Sequence, residues 1–349
     1  MKNLFVRPEQ SIKDALKHLS RGGEKCLIVV DSSQKFLGTI SDGDVRRSIL
    51  DGKRFDTSIV SVYNKNATYV EKGRFSITQV KSIFLKDKFD LIPVIDKSKR
   101  VVDILFWDKI FRNERKLNDT TLSLPVVIMA GGKGTRMEPF TKVLPKPLIP
   151  IHEKPVIEHL IERFTDVGIR DFWLTVNYKS KIMEAYFDEL SPEYSVNFIN
   201  ENKPLGTAGS LKYLINKFDG PFFVTNCDTI INANLIDFLE HHNSGNYAIT
   251  VAASAKEYII PFGACKLDKY GNLESIDEKP SFDFLINTGL YIINPDVLQL
   301  IPEKGEFHTT DLIHAAKVNN NEIGVFPIDE ECWIDVGQWA EYQKAVEKL

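Results

Sequence analysis

The chain has 349 residues, of which 43% are hydrophobic and 26% charged, with a formal net charge of -4 at pH 7. That length and balance suit a soluble globular protein of two or three domains, and the interspersed charges argue against nucleic acid or an anionic membrane as partner. The opening MKNLFVRPEQS lacks the apolar core of a signal peptide and no run reaches the roughly 18 apolar residues that span a bilayer, so a cytoplasmic location is expected.

In chain order, the first feature is an internal repeat in residues 1–115. CLIVVDSSQKFLGTI and LIPVIDKSKRVVDIL align Asp31 with Asp96, and each follows an amphipathic helix, at 11–19 and 76–85. The order in each copy is helix, apolar strand, polar turn, second strand, second helix. This repeat resembles a tandem pair of cystathionine β-synthase (CBS) domains, at 1–57 and 58–115, an α+β regulatory module that commonly binds adenine nucleotides. The family pattern for holding ribose and phosphate falls on Gly38, Thr39, Ser41 and Asp42 of GTISDGDVRRSI. The second copy departs from it with Asp103, Ile104 and Trp107 in the places of Gly38, Thr39 and Asp42. The resemblance therefore implies one regulatory nucleotide site, in the first copy. The alternative is a ligand-free assembly module, and either reading implies a regulated enzyme or a homo-oligomer.

Residues 116–124, KLNDTTLSL, have no apolar periodicity and read as a linker ahead of Pro125. From there to 349, strand-like runs at 126–130, 172–177, 196–200, 222–226, 248–253, 264–267 and 290–293 alternate with helical patterns such as 156–166, 210–217 and 235–242. That alternation predicts a doubly wound α/β domain with ligands at the carboxyl ends of its strands.

The run VVIMAGGKGTRMEPFTKVLPKP opens this domain. A buried parallel strand leads into Gly131, Gly132 and Gly134, whose backbone N–H groups can approach a polyphosphate, followed by the spaced cations Arg136 and Lys146. The spacing fits neither a P-loop nor the Rossmann fingerprint. It resembles the signature of the sugar-1-phosphate nucleotidyltransferases, and the likeness extends over all of 125–349. The fold it implies is a mixed-sheet, GT-A or Rossmann-like domain. By the same resemblance Thr135 joins the glycines at the nucleotide, while Arg136 and Lys146 neutralise its β- and γ-phosphates. The alternative for the loop alone is a Gly-rich turn with solvated cations.

Further segments carry the resemblance on. INENKPLGTAGS assigns Gly206, Thr207 and Ala208 to base and nucleotide contact, in a form favouring guanine while leaving uracil open. PFFVTNCDTIIN and CWIDVGQWAEY supply Asp228 and Asp335, which in the family hold Mg2+ against the nucleotide and the acceptor phosphate; an exposed turn or N-cap role is the alternative for Asp335. SIDEKPS gives Glu278 and Lys279 for a sugar hydroxyl and the sugar phosphate, PFGAC gives Gly263, and LINTGLYIIN gives Asn287 and Gly289. A solvated charge pair is the alternative for Glu278 and Lys279.

The four cysteines, Cys26, Cys227, Cys265 and Cys332, lack CxxC spacing and lie in or beside apolar segments, so buried free thiols are expected rather than zinc ligands or disulfides. The seven histidines read as helix-surface or capping residues, with His152 a minor candidate for ligand approach. The expected reaction is nucleotidyl transfer from a nucleoside triphosphate, GTP first, to a sugar-1-phosphate with release of pyrophosphate. A CBS pair ahead of such a domain most resembles the glucosamine-1-phosphate guanylyltransferases of bacterial legionaminic acid synthesis, a route to flagellin and surface-glycan modification. Mannose- or heptose-1-phosphate guanylyltransferases and amino-sugar uridylyltransferases stay open. So does a non-enzymatic nucleotide-sugar sensor.

Overall fold

The computed structural model describes residues 4–22, 25–87, 89–110 and 121–348. The chain divides into two compact units, one of Met1–Asn118, Ala255–Ile286 and Pro327–Glu330, the other of Asp119–Ser254, Asn287–Phe326 and Glu331–Leu349.

In the first unit the repeat is real. One copy consists of β1 (Phe5–Val6), α1 (Ile12–Gly22), β2 (Cys26–Val30), β3 (Phe36–Ser41) and α2 (Asp42–Leu50). The other consists of β4 (Val70–Glu71), α3 (Ile77–Asp87), β5 (Leu91–Ile95), β6 (Val101–Phe106) and α4 (Trp107–Ile110). Helix α1 forms where Ile12, Ala15, Leu16 and Leu19 recur at helical spacing, and all four are buried. Each copy folds into a three-stranded sheet with its middle strand parallel to one neighbour and antiparallel to the other. The likeness reaches individual hydrogen bonds. Asp31 Oδ1 accepts from the Ser33 and Lys35 amides at 2.8 and 2.9 Å, and Asp96 Oδ1 accepts from Ser98 and Arg100 at the same distances. The two turns also pair with one another, the Phe36 amide donating to the Lys99 carbonyl at 2.8 Å.

The second unit begins with β7 (Val126–Met129), then α5 (Phe140–Val143), β8 (Pro150–Ile151), β9 (Lys154–Pro155), α6 (Val156–Thr165), β10 (Asp171–Val176), α7 (Ser180–Leu190) and β11 (Ser195–Asn200). It continues through β12 (Phe222–Asn226), β13 (Thr229–Ile231), α8 (Leu235–Ser244) and β14 (Ile249–Ile259). The chain then forms β15 (Ala264–Leu267) and β16 (Leu273–Asp277) in the first unit and returns through β17 (Ser281–Ile293) to α9 (Thr309–Val318), β18 (Ile323–Asp329), β19 (Trp333–Asp335) and α10 (Trp339–Lys348). The main sheet runs β11-β10-β7-β12-β17-β14-β18. Strand β7 lies parallel to β10 and β12, whereas β17 runs antiparallel to β12. This is the α/β sheet expected from the alternation, with the mixed strand directions that the family resemblance implied. Val126, Val127 and Ile128 are fully buried because both faces of a central parallel strand are covered. Strands β7, β10 and β12 therefore deliver their carboxyl ends, and the loops that follow, to one edge.

Several expectations need correction. Residues 255–286, read as part of the catalytic half, belong to the first unit: Ala255 enters the first repeat's core, and the Phe55 amide donates to Asp283 at 2.9 Å. Strands β14 and β17 are longer than their apolar runs because their outer halves carry mixed, exposed residues. The segment 210–217 is a 3-10 helix, Gly209–Leu214, whose buried Leu211 and Leu214 suit a three-residue period. Of the linker, 116–120 lie outside the described residues, and Leu122 is buried with its amide on the Val167 carbonyl at 2.8 Å. None of the four cysteines forms a disulfide among the described residues, and Cys227 and Cys332 are buried, but Cys26 is only half-buried and Cys265 is exposed on β15. His242 is not a surface residue: it is 1% exposed, between Thr250 and Asn294. Among the described residues no helix is long and apolar enough to cross a membrane.

Candidate active site

The site in the second unit grows from the end of β7. Gly134 adopts φ +68°, and a β-carbon there would lie 2.8 Å from the Thr141 side chain and 3.0 Å from Lys146 Cβ. The tight glycine loop is thus packed directly on the stem of Lys146, and the Thr141 hydroxyl fastens it by donating to the Gly134 carbonyl at 2.9 Å. Thr135 and Arg136 stand exposed on the short 3-10 turn that follows, while Met137 anchors the turn in the core.

Lys146 reaches the acids. Its ammonium pairs with Asp228, just past the end of β12. Strands β13 and β19 pair Thr229 with Asp335, which draws two acids from distant sequence to one end of the ladder. A β-carbon on Gly337 would lie 2.8 Å from Asp335 Oδ1, 2.9 Å from Asp228 Oδ2 and 3.2 Å from Lys146 Nζ. Two carboxylates and an ammonium converge on a single point that only a glycine leaves open. The Gly337 amide donates to Asp335 Oδ1 at 2.8 Å, and the Val336 amide to the Asp228 carbonyl at 2.9 Å.

The electrostatics follow from this crowding. Burial pushes the Asp335 carboxyl up, and Asp228 adds to the rise against the pull of the Gly337 amide and Lys146. Burial works against the charge on Lys146, yet Asp228, with smaller help from Cys227 and Asp335, raises its pKa on balance. Cys227 is itself pushed up to about 12, chiefly by burial, which makes it an inert neighbour.

A second group of residues surrounds the loop before Gly209–Leu214. Gly206 adopts φ +82° and packs on the carbonyl of Phe307, 2.5 Å from where a β-carbon would sit. The amides of Ala208 and Gly209 both donate to that carbonyl, at 3.0 and 2.9 Å, and Ala208 is buried. The small residues assigned to base contact therefore also close the loop on its own chain, leaving the exposed Thr207 and the Gly206 backbone toward solvent. Glu201 was not legible as a site residue. It is 8% exposed, with a carboxylate oxygen 3.0 Å from the β-carbon position of Gly131. Burial pushes this carboxyl up, against the opposing Ser210, Leu205 and Thr175 groups.

Of the sugar-assigned residues, Asn287 and Gly289 lie in the second unit. The Gly289 amide donates to Asn287 Oδ1 at 3.0 Å, and Gly289, at φ +84°, packs closely on Asn226. Gly263, Glu278 and Lys279 lie in the first unit, where Glu278 Oε2 sits 3.1 Å from the β-carbon position of Gly263 and Lys279 is exposed at φ +47°. His152 bonds the Val346 carbonyl at 2.8 Å.

In the first repeat, the residues assigned to a nucleotide have structural partners. A β-carbon on Gly38 would fall 2.2 Å from the Asn64 carbonyl, and the Thr39 backbone exchanges hydrogen bonds with Asn64 at 3.2 and 2.8 Å. Ser41 caps α2 in a reciprocal box with Asp44, and Asp42 pairs with Arg46. In the second copy Trp107 fills the place of Asp42 and stacks edge-on against Phe84, with ring centroids 5.7 Å apart.

Comparison with known proteins agrees with this geometry. The nucleotidyl transferase family model matches residues 125–349 and the CBS domain model residues 1–51. The chain belongs to the nucleotidyl transferase family. It is 36% identical over 225 residues to a mannose-1-phosphate guanyltransferase of Hypocrea jecorina, covering 61% of this chain and 60% of that protein. It is 35% identical over 230 residues to the one of Schizosaccharomyces pombe, covering 63% and 62%. The chain thus spans about 60% of the length of these curated relatives. The structure of HddC from Yersinia pseudotuberculosis matches with a TM-score of 0.51 at 28% identity, over 64% of this chain and 99% of that one, and its complex with GMP-PN matches with a TM-score of 0.50 at 27% identity.

Lys146→Met leaves Asp228 and Asp335 facing one another without their cation. It should cost about 2 kcal/mol in urea unfolding at neutral pH, below the usual figure for a fully buried pair because the groups keep some solvent. The raised Asp335 pKa means that its ionisation opposes folding, so stability is complete below the unfolded carboxyl value and is lost as pH rises through the folded one. The cost of Lys146→Met should accordingly shrink toward about pH 4, and adding Asp335→Asn should restore part of it. Equal unfolding of wild type and Lys146→Met across this range would refute the account of the cluster.

Proposed function

We propose that the protein transfers a guanylyl group from GTP to a hexose-1-phosphate, releasing pyrophosphate and forming a GDP-sugar. The observation that carries the reading is the convergence of Lys146, Asp228 and Asp335 on Gly337 beneath the glycine loop. Donor and acceptor are both anions, so the chemistry needs positive charge and positioning more than an enzyme nucleophile. A phosphate oxygen of the acceptor attacks the α-phosphorus in line, the bond to the β-phosphate oxygen breaks, and the electron pair leaves with pyrophosphate.

Each residue has a part. Exposed Arg136, with no ionic partner among the described residues, meets the β- and γ-phosphates, and Lys146 adds its charge from the loop floor. Asp228 and Asp335 offer two hard oxygen ligands at one point, which fits Mg2+ completed by nucleotide phosphates and water. Among the described residues no larger acidic or imidazole cluster competes for a metal. The ion, when bound, screens the two anionic substrates from one another. Asn287, whose Oδ1 accepts from the Gly289 amide, reads a hydroxyl of the sugar. Glu201, an acceptor-only carboxylate when ionised, suits the N1–H and amino donors of guanine, whereas uracil offers one ring N–H between two carbonyls.

For the acceptor, the mannose-1-phosphate guanyltransferase relatives favour mannose-1-phosphate. The repeat ahead of the catalytic part supports the second reading, glucosamine-1-phosphate and a place in legionaminic acid and flagellin glycosylation. Pyrophosphate release should be measured for five nucleoside triphosphates against mannose-, glucosamine-, N-acetylglucosamine- and heptose-1-phosphates. GTP should exceed UTP at least tenfold with one of the first two acceptors, and Asp228→Asn should lower turnover at least a hundredfold, roughly the share of a metal ligand. A tenfold preference for UTP would overturn the guanylyl assignment, and near-normal turnover of Asp228→Asn would overturn the metal site.

The first repeat is a proposed regulatory nucleotide site, supported by the intact GTISD segment and by the indole that fills the second copy. AMP titrated calorimetrically into the full chain should bind one site, weakened at least tenfold by Asp42→Ala. Two equivalent sites, or no heat, would contradict this.

A further inference from the structure

Strands β15 and β16 form a two-stranded hairpin in the first unit, and its register sorts the side chains onto two unlike faces. Cys265 lies opposite Ile276 and Leu267 opposite Leu273, and alternation along β15 puts Cys265 and Leu267 on the same side. Leu273 and Ile276 would fall on opposite sides of a regular strand, being three residues apart. The register shifts between Lys266 and Leu267, however, and the extra residue in β16 turns Leu273 to the side of Ile276. The other face pairs Ala264 with Asp277 and Lys266 with Ser275, and Lys266 Nζ reaches Asp277 Oδ2 at 2.7 Å.

The burial of the two faces is inverted. On the polar face Ala264, Ser275 and Asp277 are half-buried, whereas Cys265, Leu267, Leu273 and Ile276 are all exposed, the last three at 57% to 61%. Phe262 and Tyr270, at the two ends of the hairpin, are 73% and 78% exposed. The turn that carries Tyr270 is fixed, because Asp268 Oδ1 accepts from the Tyr270 and Asn272 amides, both at 2.8 Å. A two-stranded hairpin gains stability when its apolar face is packed on something else. These six side chains offer roughly 500 Å² of apolar surface. That is near the top of what a monomer leaves bare, and close to the apolar share of one copy's half of a standard homodimer interface.

We propose that this face is a self-association surface, on which the same hairpin of a second copy of the chain packs face to face about a two-fold axis. Three features choose a second copy over a different protein. The four strand residues of the face carry no charge, so no charge pattern selects a foreign partner. An apolar sheet face is its own complement, which a two-fold interface requires. The area suffices for a stable pair when both halves are equally apolar, as two copies of this face are.

The test is sedimentation velocity of the full chain at micromolar concentration, together with maleimide labelling of Cys265 read by peptide mass spectrometry. Wild type should sediment as twice the 39.7 kDa chain. Leu267→Asp and Leu273→Asp, at exposed positions where folding is not at stake, should each weaken the dimer at least about tenfold by placing an unpaired charge in the interface. Lys266→Ser, on the opposite face, should leave it unchanged. Cys265 should label at least about fivefold more slowly in the wild-type dimer than in Leu273→Asp, because the interface shields the thiol. A dimer of unchanged affinity in both Asp variants, with Cys265 freely labelled, would mean that the copies meet through another face and would overturn the proposal. So would a wild-type monomer, whether Cys265 labels freely and the face is bare, or is protected and the face has some other cover.

Discussion

The site hangs on one ammonium held between two carboxylates. Asp335 ends β19 and Asp228 immediately precedes its antiparallel partner β13, and their mutual repulsion would push the short ladder apart were Lys146 not beside them. The lysine in turn has its stem fixed under Gly134, so the glycine loop and the acidic pair are parts of one packed object. Gly337 makes the arrangement sterically possible, since any side chain there would occupy the point on which the three charges converge.

The sheet topology brings the parts of this cluster together. Parallel strands β7, β10 and β12 bring three loops to one edge, and the antiparallel β13–β19 ladder adds a fourth segment from the far end of the chain. The cluster sets one ammonium, paired with Asp228, against two carboxylates, at the position where a divalent ion and phosphates would meet the acids. A nucleotide with its metal would therefore replace an existing interaction, and part of its binding energy would go into moving Lys146 from the acids to the phosphates. The cluster is held by hydrogen bonds from the Val336 and Gly337 backbone.

What was legible in the sequence was local. The apolar run 126–130, the glycine spacing after it, the pairing of Asp31 with Asp96 and the failed second copy at Asp103 and Trp107 all follow from short-range pattern, and the structure bears out the repeat and the mixed sheet. Glu201 and Gly337 were not legible, because each matters through neighbours distant in sequence, Gly131 for one and Lys146 for the other. Thr309, which the sequence did not single out, closes on Thr207, its amide donating to that hydroxyl at 3.0 Å. The helix expected at 210–217 failed because leucine spacing of three satisfies a 3-10 turn as well as an α-helix. The arm at 255–286 could not be assigned because strands β14 and β17 run on past their apolar halves into another unit.

Gly337→Ala tests the central claim most directly. Gly337 lacks a positive φ, and the atoms a methyl group would meet are the far ends of three side chains, so the variant should fold normally while the cluster is forced open. Calorimetry with the α,β-methylene GTP analogue should show Mg2+-dependent binding in wild type that falls at least about tenfold in Gly337→Ala, with melting little changed. Wild-type affinity and metal dependence in a normally folded Gly337→Ala would contradict the claim that these three charges form the nucleotide and metal centre.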